Sequence, residues 1–318
     1  MKIHITGIAG VLGSNLAKTL VSNGYKVSGN DVVRPEDAWR LKNMGVFDLI
    51  DYQWMSTEGL ENVDYDIIID AGIAVPDRDF GNNNVWYTLD NIRSAVSLLE
   101  KVRRSRTDPV IIYPSSFNSL YGYGKKTYRS NMLPNPTSIY GWSKGAVEQL
   151  YLTYHRMYGT KVIITRVGSA YGPYMRTTEL IGKVIVYALR RSKFKLYSPE
   201  SKRLWTYSGD VSDFYLQLIP RANDWIGKVI HCAGNKGMEI YRNYDLVVKI
   251  YKMLGLDEGY VERMVDYEPG ELIDGKPVDF NTKVEVDWWK PRTTIEEGLK
   301  KTIEWFEVNL NTKGGKEL

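Results

Sequence analysis

The chain of 318 residues has one cysteine, Cys232, and three histidines, His4, His155 and His231. A single cysteine excludes an intramolecular disulfide and any zinc site built on paired cysteines. The histidines are too far apart in the sequence to form a recognisable metal-binding pair. We therefore expect no metal, a structural His4, and a buried Cys232 in the apolar run Val229–Ala233.

Long apolar runs and a strong charge excess are also missing. No stretch approaches the ~20 apolar residues that span a membrane, and no basic-then-apolar leader precedes the strand pattern Lys2–Thr6. Lys and Arg total 42 against 38 Asp and Glu, a net charge of +4. Because the excess is small and scattered, we expect a cytoplasmic protein with neither a nucleic-acid nor a membrane partner.

Short apolar runs alternate with helical patterns through the first half of the chain. The predicted strands are Lys2–Thr6, Lys26–Asn30, Phe47–Asp51, Ile67–Asp70, Val110–Pro114 and Lys161–Arg166. The predicted helices are Gly13–Asn23, Thr88–Arg104 and Gly141–Tyr158. Continuous apolar strands that alternate with helices are typical of an α/β fold with a doubly wound parallel Rossmann sheet.

The first strand leads directly into a glycine-rich turn with Gly7, Gly10 and Gly13. Gly7 permits the tight turn, Gly10 lets the backbone approach a pyrophosphate, and Gly13 allows close helix–strand contact. Val11 and Leu12 complete the turn before the predicted helix Gly13–Asn23, whose first N–H groups and partial positive charge suit phosphates. This placement predicts a dinucleotide site.

The second strand pattern ends beside Asp31. A carboxylate there accepts hydrogen bonds from both hydroxyls of an adenosine ribose and repels a 2′-phosphate, which favours NAD over NADP. Arg34, close behind, works in the opposite direction, and the alternative for Asp31 is a plain turn residue. We expect NAD as the cofactor.

Tyr140 and Lys144 lie four residues apart where the predicted helix Gly141–Tyr158 begins. Residues with this spacing project from the same helical face. A nearby ammonium and an oxidised nicotinamide lower the pKa of a phenol, so the pair can exchange a hydroxyl proton while hydride moves. The spacing alone is common on helix surfaces, but after the glycine turn it predicts a catalytic pair.

After about Tyr171 the regular alternation ends at Gly172-Pro173. We expect an NAD-binding domain over residues 1–170, to which segments around 203–235, including Val229–Ala233, return. A smaller, discontinuous α/β domain over residues 171–318 is expected to bind the substrate.

These motifs resemble the extended short-chain dehydrogenase/reductases, and among them the NAD-dependent nucleotide-sugar epimerase/dehydratase family with its UDP-glucose 4-epimerases. The resemblance covers nearly the whole chain. It extends to Pro114–Gly122, Arg166 with Tyr171-Gly172-Pro173, Arg203–Asp210, and Trp288–Pro291 with Ile295–Leu299.

The resemblance implies further binding residues. For the cofactor these are Asp51 and Tyr52 at the adenine, Ala71, Gly72 and Ile73 at the turn after the fourth strand, Asn91 near the nicotinamide half, and Ser115. For a nucleotide-sugar substrate they are Arg203, toward a diphosphate, and Ser169, which stands where many relatives have a substrate-binding asparagine. Tyr197 is added as a substrate residue only by its position before Arg203. Relatives are commonly homodimers formed by two helices, here Thr88–Arg104 and Gly141–Tyr158.

The chain also departs from the family pattern. Phe117 stands where the family has its catalytic Ser or Thr, and a phenylalanine cannot donate a hydrogen bond. Ser116, or as second choice Ser119, is expected to supply that hydroxyl. A second diphosphate-binding arginine expected near Pro269-Gly270 is absent. Asn118 and Ser119 replace the acids of the family's dehydratases and sugar-acid decarboxylases, which makes both reactions unexpected.

The leading hypothesis is therefore an NAD-dependent nucleotide-sugar epimerase that acts at C4 through a transient 4-keto sugar. An NAD(P)-dependent dehydrogenase or ketoreductase of a sugar or other small polar alcohol is the alternative, and the missing arginine favours it. A non-catalytic dinucleotide-binding protein, suggested by Phe117, is the third.

Overall fold

A computed structural model of the protein describes residues 1–73, 85–121, 126–268 and 280–310. In chain order the strands are β1 (Lys2–Thr6), β2 (Lys26–Asp31), β3 (Asp51–Trp54), β4 (Ile67–Asp70), β5 (Val110–Ser116), β6 (Lys126–Tyr128), β7 (Val162–Val167), β8 (Ser169–Tyr171), β9 (Phe194–Tyr197), β10 (Lys202–Tyr207), β11 (Val229–Cys232), β12 (Ile240–Arg242), β13 (Val265–Glu268) and β14 (Phe280–Thr282). The helices are α1 (Val11–Ser22), α2 (Trp39–Asn43), α3 (Val85–Arg104), α4 (Phe117–Leu120), α5 (Ile139–Tyr158), α6 (Leu180–Leu189), α7 (Ser208–Leu218), α8 (Asn243–Met253), α9 (Glu258–Met264) and α10 (Ile295–Asn309).

The first compact unit consists of Met1–Gly122, Ser130–Val167 and Ser212–Cys232. Its seven strands form one parallel sheet in the order β11-β7-β5-β4-β1-β2-β3. Every residue of β4 and β7 is buried, as in strands covered on both faces. The strand order reverses between β1 and β4, and in such sheets the ligand binds at that switch point. The predicted doubly wound parallel fold is confirmed.

One predicted strand of this sheet is misplaced. Phe47–Asp51 is not a strand, because Phe47–Leu49 form a 3₁₀ turn and β3 runs over Asp51–Trp54. The Phe47 ring packs against Tyr52, with 5.2 Å between ring centroids, so its apolar character stabilises a turn. The other predicted strands and helices are present, with Lys2–Thr6 and Ile67–Asp70 unchanged and the remaining ends at most three residues from the predicted ones. Val229–Cys232 returns to the sheet as β11, as predicted.

The second unit consists of Tyr123–Arg129, Gly168–Val211 and Ala233–Leu318. It contains a three-stranded sheet, β12-β10-β8, and the strand pairs β13-β9 and β14-β6. Its core includes Tyr171, Trp205, Leu246 and Phe306.

The boundaries of the units differ from the predicted 1–170 and 171–318 in three places, the first of which is Gly168–Ala170 in the second unit. Residues 203–211 lie in the second unit, because β10 pairs with β8 and β12 rather than returning to the large sheet. Residues 126–129 lie there too, because β6 pairs with β14. Within the described ranges, no helix combines the length and the apolar character that a membrane crossing requires.

Candidate active site

The glycine-rich turn follows β1 at the switch point of the sheet. Gly7 has a φ of 65°, and a Cβ on it would lie 2.6 Å from the Cα of Gly72, so only glycine fits. Gly10 is the N-cap of α1, and a Cβ on Gly13 would overlap the Gly7 carbonyl oxygen. Val11 and Leu12 are half-buried at the start of α1, where the first N–H groups of a helix have no intrahelical acceptor.

Asp31, the last residue of β2, is anchored between this turn and the loop after β2. Its Oδ2 accepts a hydrogen bond from the backbone N–H of Ala9 at 2.9 Å, and its Oδ1 from that of Val33 at 3.1 Å. Each carboxylate oxygen has a second lone pair. The carboxylate is therefore preorganised to accept two further hydrogen bonds, as a ribose diol requires.

The register of β3 determines where Asp51 and Tyr52, the two residues predicted to contact adenine, lie. Asp31 is paired with Trp54, whereas Asp51 is paired with Ser28, roughly 10 Å back along the strand. The exposed carboxylate of Asp51 therefore lies at the amino end of β3, away from the glycine turn, and its contact with adenine stays a prediction. Tyr52 does contact the loop after Asp31, since its hydroxyl donates to Val33 O at 2.6 Å.

Trp54 is the residue that sequence reasoning missed at this edge. It is exposed, and its Nε1 donates to Val32 O at 3.2 Å. The Arg34 guanidinium lies 5.6 Å from the centroid of its ring. An exposed tryptophan at the carboxyl end of a parallel strand was the available signal, but the predicted strand ended three residues too early.

The turn after β4 is bonded to the glycine turn through Thr6. The Thr6 Oγ1 accepts a hydrogen bond from the Gly72 N–H at 2.8 Å and donates one to Asp70 Oδ1 at 2.6 Å. Ala71, Gly72 and Ile73 are half-buried there, at the carboxyl end of β4.

Tyr140 and Lys144 lie on the first turns of α5. Its N-cap Ser138 accepts a hydrogen bond from the Gly141 N–H at 3.0 Å, which fixes where the helix begins. The Lys144 Nζ lies 6.0 Å from the centroid of the Tyr140 ring and donates to Pro114 O at 2.9 Å. Burial lowers the pKa of Lys144 to about 8, against the charges of Asp70 and Glu148, which raise it.

Ser116, at the end of β5, is the N-cap of the short helix α4. Its Oγ accepts from the Ser119 N–H at 3.3 Å and donates to the Ser119 Oγ at 3.0 Å. Phe117 is fully buried, edge-on to the rings of Tyr121 and His231. Phe117 is therefore a core residue, and the half-buried Ser116 carries a hydroxyl at the strand end.

A close approach of α5 to α4 places these groups on adjoining turns. A Cβ on Gly141 would overlap the carbonyl oxygen of Ser119, so the helices touch backbone to backbone there. Two other predicted cofactor residues, Ser115 and Asn91, are buried, on β5 and on α3 respectively. Helix α3 packs along α5.

The predicted substrate residues all lie in the second unit. Ser169 begins β8 and is paired with Trp205, two residues along β10 from Arg203, so both belong to one sheet. Tyr197 is exposed on β9, in a different sheet. The structure thus groups Ser169 with Arg203 but not with Tyr197. Gly122, Pro269 and Gly270 lie outside the described residues.

The residues of the first unit fit a bound dinucleotide. The Gly7–Gly72 contact leaves no room for side chains where a pyrophosphate must approach. Asp31 is aligned by two backbone donors. The Ser115 Oγ is buried without a hydrogen-bond partner in the described part of the chain, as expected of a group that a ligand satisfies. No cluster of metal-binding side chains is found among these described residues.

Comparison with known proteins identifies the family. The model of the NAD dependent epimerase/dehydratase family matches residues 3–233, more than half of the chain. An uncharacterized protein of Methanocaldococcus jannaschii is 26% identical over 325 residues, which cover 96% of each chain.

Two solved structures share the fold. UDP-glucuronic acid 4-epimerase of Bacillus cereus has a TM-score of 0.85 at 21% identity and covers 97% of this chain and 99% of its own. The dTDP-glucose 4,6-dehydratase DesIV of Streptomyces venezuelae has a TM-score of 0.85 at 20% identity and covers 98% of both chains. The family match confirms the predicted enzyme class and the predicted NAD cofactor. The chain belongs to the NAD dependent epimerase/dehydratase family.

Proposed function

We propose that this enzyme epimerises a nucleotide sugar at C4 through a transient 4-keto sugar. The observation that carries the proposal is the position of Tyr140 and Lys144 on one face of α5, next to the Ser116 hydroxyl of α4. Bound NAD supplies the reversible acceptor of the C4 hydride.

Four residues of the chain have defined roles in this proposal. Tyr140 takes the proton from the C4 hydroxyl and later returns it. The ammonium of Lys144 lowers the pKa of that phenol and so makes it a usable base. Ser116 exchanges the hydrogen bond that its hydroxyl donates to Ser119 for one to the sugar oxygen. Arg203, on β10, is proposed to bind the diphosphate of the nucleotide.

The residues that follow Ser116 favour an epimerase over a dehydratase. The B. cereus epimerase and the S. venezuelae dehydratase match with the same TM-score of 0.85, so the overall geometry does not separate them. The family's dehydratases use acids directly after the catalytic hydroxyl. Here Phe117 is buried in the core and is followed by Asn118 and Ser119, which cannot act as acids near pH 7.

The test is a turnover assay without added cofactor. The purified protein is denatured and its supernatant assayed for nicotinamide, while a native sample is incubated with UDP-galactose and analysed for UDP-glucose. We expect bound NAD and interconversion, and in Tyr140→Phe retained NAD with a rate lower by about 10²–10⁴-fold. A sample that releases no nicotinamide and converts neither sugar contradicts the proposal. In a parallel sample that is given NAD and an alcohol, steady accumulation of NADH indicates the dehydrogenase instead.

We further propose a homodimer formed through α3 and α5. Trp86, Leu89 and Val96 on α3 and Trp142 and Met157 on α5 are large apolar side chains that are exposed. Within each set the spacing is helical, and the two helices pack side by side, which supports a shared apolar face. Light scattering should give twice the 36.5 kDa chain mass.

A matched pair of variants tests that interface. Trp142→Glu places a charge on the proposed face and should yield monomers, whereas Val308→Glu replaces an exposed apolar residue on α10 and should leave the dimer intact. A wild-type monomer at micromolar concentration contradicts the proposal.

We also propose a cytoplasmic location. The chain has one cysteine, Cys232, which is buried in β11, so no intramolecular disulfide can form and the fold needs no oxidising compartment. Fractionation of the native host, with the protein in the membrane or secreted fraction, would contradict this.

A further inference from the structure

The first unit contains five buried carboxylate, ammonium and guanidinium groups among its described residues: Asp31, Asp70, Lys144, Glu148 and Arg166. Glu148 and Arg166 form a bidentate ion pair, with Nε–Oε1 at 3.0 Å and Nη2–Oε2 at 2.8 Å. Asp31 belongs to the dinucleotide turn. The remaining two groups, Asp70 and Lys144, have opposite charges. Because buried charges are costly unless they are compensated, these two are each other's natural counter-charge.

Asp70 is set up as a fixed carboxylate. It is the last residue of β4 and only 3% exposed. Its Oδ1 accepts from Thr6 Oγ1 at 2.6 Å, and its Oδ2 accepts from the Tyr151 hydroxyl at 2.5 Å. Burial raises the pKa of Asp70 above its usual value, and both hydrogen bonds and the charge of Lys144 oppose that shift without reversing it. Two donors that point at its oxygens favour the ionised form.

Aromatic rings connect this carboxylate to the catalytic lysine. Tyr151 stacks on Tyr113, with 5.1 Å between ring centroids and 9° between ring planes. The Lys144 Nζ lies 5.0 Å from the centroid of that same Tyr113 ring. Asp70, Tyr151, Tyr113 and Lys144 thus form one buried cluster, named here the lysine cluster.

Within the described part of the chain, the titratable groups that act on the lysine cluster from outside it are Tyr140 and Glu148 from α5 and Glu58 from the 3₁₀ turn Thr57–Gly59. Glu148 is already compensated by Arg166, with which it shares two hydrogen bonds. The negative charge available to Lys144 is therefore mainly that of Asp70.

We propose that Asp70 is a positioning residue for catalysis, whose carboxylate, fixed by Thr6 and Tyr151, keeps Lys144 as the ammonium ion that acts on Tyr140. The step at Tyr140 rests on the proposed function, whereas the coupling of Asp70 to Lys144 does not. Removal of a negative charge lowers the pKa of a neighbouring cation. Asp70→Asn should therefore make Lys144 lose its proton at a lower pH, and the alkaline limb of the activity profile should move the same way.

The coupling is measured directly by NMR of protein labelled with ¹³C-lysine, in which Lys144→Met assigns the Lys144 signal. We expect the titration midpoint of Lys144 to fall by about one pH unit in Asp70→Asn. The control Asp66→Asn removes an exposed carboxylate that immediately precedes β4 and should leave the midpoint unchanged. A second variant, Tyr151→Phe, removes one of the two hydrogen bonds to Asp70 but keeps the Asp70 charge. The titration midpoint of Lys144 should therefore stay near that of the wild type.

The outcomes separate the inference from the proposed function. An unchanged midpoint in Asp70→Asn, or an equal fall in Tyr151→Phe, overturns the charge coupling. A lowered midpoint without a shift of the kcat–pH profile overturns the catalytic role. If neither UDP-galactose nor UDP-glucose is converted, the proposed function fails, and the NMR midpoint still decides the coupling. A parallel fall of the Lys144 midpoint and the alkaline limb supports the inference.

Discussion

Replacement of Gly141 by alanine tests whether the contact of α5 with α4 sets the catalytic geometry. The added Cβ would overlap the carbonyl oxygen of Ser119. This oxygen belongs to the backbone, so the start of α5 must move by on the order of 1 Å, and a displacement of that size at reacting groups costs roughly 10²-fold in rate. Gly141 lies next to Tyr140 in the chain, so the displacement acts on the phenol directly.

The assay compares kcat for UDP-galactose with the amount of NAD bound per chain. We expect Gly141→Ala to lose about 10²-fold in kcat while it keeps its NAD, because the glycine turn after β1 is untouched. Gly145→Ala, one turn further along α5, is the matched control. Its Cβ would lie 3.2 Å from Leu120 Cδ2, the end of a side chain that can move. Equal kcat values in both variants would refute the reasoning.

Three further outcomes follow from the first unit. Asp31→Asn should weaken NAD binding by about tenfold or more, measured by calorimetry, because charged hydrogen bonds to the ribose are lost; unchanged affinity contradicts this. Glu148→Gln leaves the Arg166 charge buried and should lower the free energy of unfolding by about 3 kcal/mol in urea; a loss below ~1 kcal/mol contradicts it. Burial lowers the pKa of His4 from 6.5 to about 4, so the unfolded chain binds a proton that the folded chain excludes. Stability should therefore fall by about 3 kcal/mol between pH 6.5 and 4, and His4→Gln should remove most of that loss.

The parts of the site that the sequence predicts depend on local periodicity. The glycine turn follows from its place after β1, and the pairing of Tyr140 with Lys144 follows from 3.6 residues per helical turn. The order of the parallel strands brings both to the same edge of the sheet. None of these inferences requires knowledge of a contact between distant residues.

The errors and omissions concern contacts that no local pattern encodes. The strand predicted over Phe47–Asp51 rested on the apolar residues around Phe47, but the Phe47 ring packs on Tyr52 and the strand starts later, at Asp51. Asp70 was visible as an acid that ends an apolar strand. Its importance depends on Tyr151, 81 positions away, because Asp70 accepts a hydrogen bond from the Tyr151 hydroxyl.

Phe117 shows a different difficulty. By alignment it stands at a catalytic position, but its ring faces Tyr121 and His231 in the core. The direction of a side chain at a strand end depends on where the strand stops, and here β5 continues to Ser116 before α4 begins.

The late return of the chain to the large sheet has a consequence for biosynthesis. Strand β11 covers the outer edge of β7, and His231 places its Nε2 2.6 Å from the Tyr121 hydroxyl, which in turn accepts from Arg166. A nascent polypeptide that has not yet emerged beyond Ser212 therefore exposes β7 as an unpaired edge and lacks one member of the Arg166 network. On the ribosome, the sheet of the first unit therefore stays incomplete until Gly168–Val211 of the second unit and the segment that ends at Cys232 have been synthesised.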